Sequence, residues 1–142
     1  MKFWDSSAVV PLLIDEPSSG PASALHADDN VMAAWWGSAV ECVSALARRE
    51  REGEIDPTIS AEGLDRLDEL AAGWLEVAPS QRVRRTAIRL LRVHPLRAAD
   101  ALQLAAATAT AEDHADSVAF VTLDERLALA AQREGFEVIQ PS

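Results

Sequence analysis

With 142 residues, 49% of them hydrophobic, and a mean hydropathy of −0.02, the chain is predicted to be one soluble globular domain, residues 1–142, rather than a disordered one. The formal charge of −10 argues against a general nucleic-acid binder, because phosphate binding rests on Lys and Arg. No apolar run approaches the roughly 18 residues of a membrane span and no signal-peptide pattern opens the chain, so a cytoplasmic protein without membrane attachment is expected.

A short apolar run from Phe3 to Asp5 predicts a buried strand, and Ser6 and Ser7 open a helix over residues 8–14. Residues 15–21 read as a loop and 21–27 as a short helix. A second strand is predicted over 31–36. A helix then starts at Gly37 and Ser38 and runs to Glu52, with Val40, Val43, Leu46 and Ala47 as its apolar stripe, closed by Gly53 and Pro57. A helix over 64–72 beginning near Ser60 and a short strand over 74–77 follow.

Ser80 begins an Arg-rich helix to Val93, which the His94–Pro95 pair breaks. The most apolar helix, rich in Ala, runs from Arg97 or Ala98 to about Thr110, and residues 112–116 form a polar cap. A buried strand over 118–122, a helix over 125–134 capped by Asp124 or Thr122, and a strand over 136–139 complete the chain. Strands alternating with helices at these spacings predict an α/β fold: a parallel β-sheet of about five short strands with helices on both faces.

Four carboxylates stand out by position. Asp5 lies at the carboxyl end of the first strand, where open α/β sheets bind ligands, although an N-cap role alone would also explain it. Asp124 repeats that placement after the strand ending at Thr122, and Thr122–Leu123–Asp124–Glu125 equally fits a capping box. Glu41 has only the small residues Gly37, Ser38, Ser44 and Ala45 at helical spacing, which suits either a cleft or solvent. Asp100 sits among Ala98, Ala99, Ala101 and Leu102, where an unpartnered carboxylate is costly. Four clustered acids need a counter-charge, and Mg²⁺ or Mn²⁺ is the hard cation that oxygen ligands select. Metal-assisted phosphodiester hydrolysis is the chemistry such a site suits.

The segments Phe3–Trp4–Asp5–Ser6–Ser7–Ala8, Glu41–Cys42–Val43–Ser44–Ala45–Leu46, Leu96–Arg97–Ala98–Ala99–Asp100–Ala101–Leu102–Gln103–Leu104–Ala105 and Phe120–Val121–Thr122–Leu123–Asp124–Glu125–Arg126–Leu127 resemble, in order and spacing, the PIN-domain nucleases. The likeness is nearest to VapC-type toxins of type II toxin–antitoxin systems. The resemblance implies a PIN-like fold, a Mg²⁺- or Mn²⁺-dependent endoribonuclease acting on RNA, a cognate antitoxin and a homodimer. It assigns Asp5, Glu41, Asp100 and Asp124 to the catalytic site, with Asp5 and Asp100 as metal ligands and Ser6 as a supporting hydroxyl.

The alternative of a different class is a catalytically idle PIN-like binding module whose acidic pocket receives a partner's basic side chain. An aspartyl phosphatase is disfavoured because Ser7 stands where its second Asp would be, and a phospho-acceptor domain because Lys2 is the sole Lys.

The remaining distinctive residues read more plainly. Trp4, Trp35, Trp36 and Trp74 are expected in the core, with one of Trp35 and Trp36 able to border the cleft by strand alternation. With Cys42 as the one Cys and three His in all, zinc is disfavoured and Cys42 reads as a core residue. Residues 1–80 hold fifteen acids against five basic side chains, whereas residues 81–99 hold six Arg and no acid. Arg82, Arg85, Arg89 and Arg92 share one helical face. Arg82 and Arg85 are expected to pair with acids of residues 1–80, and Arg92 and Arg97, near Asp100, to contact RNA phosphates.

Overall fold

The computed structural model describes residues 1–114 and 117–142; Ala115 and Asp116, at the end of the expected polar cap, lie outside the described residues. In chain order the elements are β1 (Lys2–Trp4), α1 (Ser6–Leu13), α2 (Ser19–Asp28), β2 (Met32–Trp35), α3 (Ser38–Arg51) and α4 (Pro57–Gly73). They continue with β3 (Leu75–Val77), α5 (Gln81–Val93), α6 (Ala98–Asp113), β4 (Ala119–Val121), α7 (Glu125–Arg133) and β5 (Val138–Ile139). All strand pairings are parallel, in the order β3-β2-β1-β4-β5.

The three central strands β1, β2 and β4 are short and buried throughout because both faces are covered, whereas the edge strands β3 and β5 are partly exposed. Phe3, Ala33, Trp35 and Phe120 point to one side, against α5, α6 and α7 through Leu90, Leu104, Ala105 and Leu127. Trp4, Met32, Ala34 and Val121 point to the other, against α1 to α4 through Val9, Cys42, Leu46 and Leu67. Phe3 and Phe120, paired in register on β1 and β4, stack with ring centroids 5.6 Å apart. The chain lays β2 and β3 on one side of β1 and returns to place β4 on the other, so the order reverses between β1 and β4. Crevices for ligands form at such switch points.

Several boundaries differ from the sequence reading, each for a local reason. β1 ends at Trp4: the Asp5 N–H still donates to the Val121 carbonyl (2.9 Å), but the Asp5 carbonyl already accepts from the N–H groups of Ala8 and Val9. Helix α2 begins at Ser19, two residues early, with the Ser19 hydroxyl donating to the Ile14 carbonyl. Pro57 opens α4 rather than closing α3, since its missing N–H is harmless in a first turn, and Asp56 caps that turn by accepting from the Ile59 N–H (2.8 Å). Helix α6 runs to Asp113, three residues further than expected.

The stripe of α3 is also rotated. Ser38, Cys42 and Leu46, spaced by four, are buried, whereas Val40 and Val43 are 66% and 42% exposed. Gly37 precedes this helix, and a Cβ there would fall 2.6 Å from the Trp35 indole nitrogen. Trp4, Trp35 and Trp74 are core residues, but Trp36, one residue past the end of β2, is 54% exposed. No described helix is long and apolar enough to cross a membrane.

Phe120 is fully buried at the centre of the sheet. Phe120→Ala is expected to lower unfolding stability by about 3–5 kcal/mol, read from chemical denaturation midpoints.

Candidate active site

At the carboxyl edge of the sheet an open cleft of about 1080 Å³ is lined by Asp5, Glu41, Asp100 and Asp124 together. The four come from the end of β1, the first turn of α3, the first turn of α6 and the N-cap of α7. The fold therefore brings all four sequence-selected acids into one depression.

Asp5 is the deepest, at 3% exposure. It occupies the N-cap position of α1 but makes no side-chain capping bond, so the simple capping reading fails. Its Oδ2 instead accepts from the hydroxyls of Ser7 and Thr122, the latter at 2.9 Å. Those hydroxyls are anchored in turn: the Leu123 N–H donates to Ser7 Oγ (2.9 Å) and the Asp124 N–H to Thr122 Oγ1 (3.0 Å). Asp124 both lines the cleft and caps α7, its Oδ1 accepting from the Leu127 N–H at 2.9 Å. The capping role thus belongs to Asp124, leaving Thr122 free to support Asp5.

Glu41 is half-buried and gripped on both oxygens. Oε1 accepts from the Ser6 hydroxyl and Oε2 from the Gln103 amide, each at 3.0 Å. Burial pushes the Asp5, Glu41 and Asp100 carboxyls above their ordinary values. For Asp5 the neighbouring hydroxyls oppose the rise, while Asp100 and Asp124 add to it. For Asp100 the Asp124 charge adds, and the Arg97 backbone N–H and the Arg97 and Arg126 charges oppose. The Cys42 thiol, behind Glu41 in the core, is pushed up to about 12 by burial first and by Glu41 and Asp5 next, so it stays a thiol.

The donor set fits a hard cation. The cleft offers carboxylates and hydroxyls, and no His or Cys lines it. Among the described residues no three or more His, Cys, Asp or Glu side chains close on one point. An ion that keeps several waters and uses one or two carboxylates does not require them to.

Arg48, Arg49, Arg97 and Arg126 line the same cleft. Arg97 was expected there; Arg92 does not reach it. Arg82 forms a two-pronged pair with Asp113 (2.8 and 2.7 Å) and Arg89 pairs with Glu134 (2.9 Å), so the partners come from the C-terminal half of the chain rather than residues 1–80. Arg48, Arg49, Arg126, Ser7 and Gln103 were not singled out from sequence. Only Gln103, one turn after Asp100, carried a positional signal.

No known protein family matches the chain by sequence, and no curated protein does. Solved structures do. The Mycobacterium tuberculosis VapC20, a sarcin–ricin loop cleaving toxin, is similar with a TM-score of 0.70 at 16% identity over 99% of this chain and 100% of that one. FitAcB from Neisseria gonorrhoeae gives 0.69 at 16% over 99% and 98%, and a toxin–antitoxin complex from Klebsiella pneumoniae 0.65 at 17% over 100% and 98%. At such identities the likeness establishes the fold, and the fold is PIN-like.

The raised carboxyls have a consequence for stability. Between the unfolded value (3.8 for Asp, 4.5 for Glu) and the higher folded value, the native state holds more protons, so stability falls as pH rises through that window. Asp29, held at about 2 chiefly by the N-terminal ammonium, acts oppositely but only below its ordinary value. In metal-free buffer the melting temperature is expected to rise as pH drops from neutrality toward the ordinary carboxyl values. Asp5→Asn should raise it at pH 7 and flatten that slope.

Proposed function

We propose that the chain is a Mg²⁺- or Mn²⁺-dependent endoribonuclease, the toxin of a toxin–antitoxin pair, hydrolysing RNA phosphodiester bonds at Asp5, Glu41, Asp100 and Asp124. The observation that carries this reading is the convergence of four carboxylates from four separate elements on one cleft, in a fold shared with a toxin that cleaves RNA. The toxin–antitoxin complex among the similar structures supports a cognate antitoxin as partner.

In this reading Asp5 and Asp100 hold the ion, which supplies water activation and charge neutralisation at the scissile phosphate. The Ser7 and Thr122 hydroxyls orient Asp5 and oppose the rise that burial imposes on its carboxyl. Glu41 and Asp124 would complete the acidic set around the ion and its retained waters. Arg97 and Arg126, on the exposed rim beside Asp100, contact the phosphates on either side of the cut. A homodimer and a cytoplasmic location complete the proposal.

Purified protein incubated with RNA is expected to cut it in Mn²⁺ or Mg²⁺ and not in chelator. Asp100→Asn should lower the rate by about 10²- to 10³-fold, the scale of losing one preorganised electrostatic group. Cutting by Asp100→Asn at the wild-type rate would refute the site, and metal binding without any cutting would favour the idle binding module. Metal at about 100 times its Kd should add about 2.7 kcal/mol to unfolding stability, seen as a higher melting temperature.

A separate measurement addresses the rim. Arg97→Ala is expected to weaken RNA binding and reduce its log–log salt slope by about 1 while leaving metal affinity unchanged. An unchanged salt slope with lost thermal stability would make Arg97 an internal ion-pair partner instead.

A further inference from the structure

Gln103 is the one amide in the innermost face of α6, with Leu104, Ala105, Ala106 and Ala107 beside it, and it is fully buried. A buried amide left without partners is costly, whereas an apolar side chain of that length would suit this helix without such a cost. Gln103 has partners, and all of them lie on α3. Its Nε2 donates to Glu41 Oε2 (3.0 Å) and to Ser38 Oγ (3.0 Å), and the Ser38 hydroxyl approaches its Oε1 at 3.4 Å. Ser38 is itself fully buried.

The two helices belong to opposite layers: α3 packs on the Trp4 face of the sheet and α6 on the Phe3 face. The Gln103 side chain therefore reaches over the carboxyl edge of the sheet to the acid contributed by the other layer. It sits three residues beyond Asp100 on the same helix. One rigid side chain thus ties the position of Glu41 to that of Asp100. The Ser6 hydroxyl holds the other Glu41 oxygen, so the carboxylate cannot rotate freely.

We propose that Gln103, supported by Ser38, is a positioning residue for the acidic cleft, fixing the Glu41 carboxylate relative to Asp100 by bridging the two helical layers. The inference rests on the ribonuclease reading for its effect on cleavage, but the bridge itself is a property of the free protein. Loss of an outer partner that orients a metal-site carboxylate typically costs 10- to 100-fold in affinity or activity.

The test compares Gln103→Met, which keeps the length but cannot donate, with Gln103→His, which restores a donor. Gln103→Met is expected to fold, to lower kcat on RNA about 10- to 100-fold with little change in KM, and to weaken Mn²⁺ binding on a similar scale. Gln103→His should recover part of both. In metal-free protein the side-chain carboxyl ¹³C resonance of Glu41 should move in Gln103→Met and return toward wild type in Gln103→His. That last readout separates the two claims: a wild type that neither cuts RNA nor binds Mn²⁺ sinks the ribonuclease reading, while the resonance still tests the bridge. A Glu41 resonance unmoved by Gln103→Met, or kcat and Mn²⁺ affinity at wild-type levels in a folded Gln103→Met, overturns the proposal.

Discussion

The parallel pairing of β1 with β4 is the constraint on which the rest of the cleft depends. Its register sets Trp4 opposite Val121, so the next residues on each strand, Asp5 and Thr122, leave the sheet side by side. The Thr122 hydroxyl then reaches Asp5, and Asp124 follows within a residue of the turn. A slip of one residue would exchange the faces of every side chain on the strand, sending Phe3 and Trp4 into the wrong layers. The stacked Phe3 and Phe120 rings and the buried Trp4 therefore guard the geometry of the acids as much as they stabilise the core.

The electrostatic arrangement is one of local opposition. The chain is acidic overall, and the cleft concentrates carboxylates that burial and mutual repulsion make harder to ionise. Two kinds of neighbour counter this. Hydroxyl and amide donors meet Asp5 and Glu41 directly, without adding charge, while guanidinium groups stand on the rim where solvent still screens them. Two other Arg side chains pair away from the cleft, Arg82 with Asp113 and Arg89 with Glu134, while Arg49, on the cleft wall, is held by Glu16 at 2.8 Å.

Element order, the parallel sheet and the meeting of Asp5, Glu41, Asp100 and Asp124 were legible in the sequence, because strand-end and helix-start positions are marked by local patterns that topology then gathers. What was not legible depended on rotation about an axis. In α3 the apolar residues Val40 and Val43 suggested one face, but the helix turns Ser38, Cys42 and Leu46 inward, since Ser38 meets Gln103 and Cys42 fits the packed layer. Hydrophobicity alone could not rank a buried serine above an exposed valine. Trp36 misled for the same reason, and Arg48, Arg49 and Arg126 could be placed at the cleft only once their helices were oriented.

Cys42 has a further use. It is the sole thiol in the chain, has no exposed surface, and follows Glu41 on the helix that closes one flank of the cleft. A thiol so buried, and kept protonated, reacts with an alkylating reagent only when that helix lifts from the sheet. The labelling rate of the unaltered protein is therefore a clock for the opening of that flank. It reports local breathing at the cleft without any probe having to be introduced.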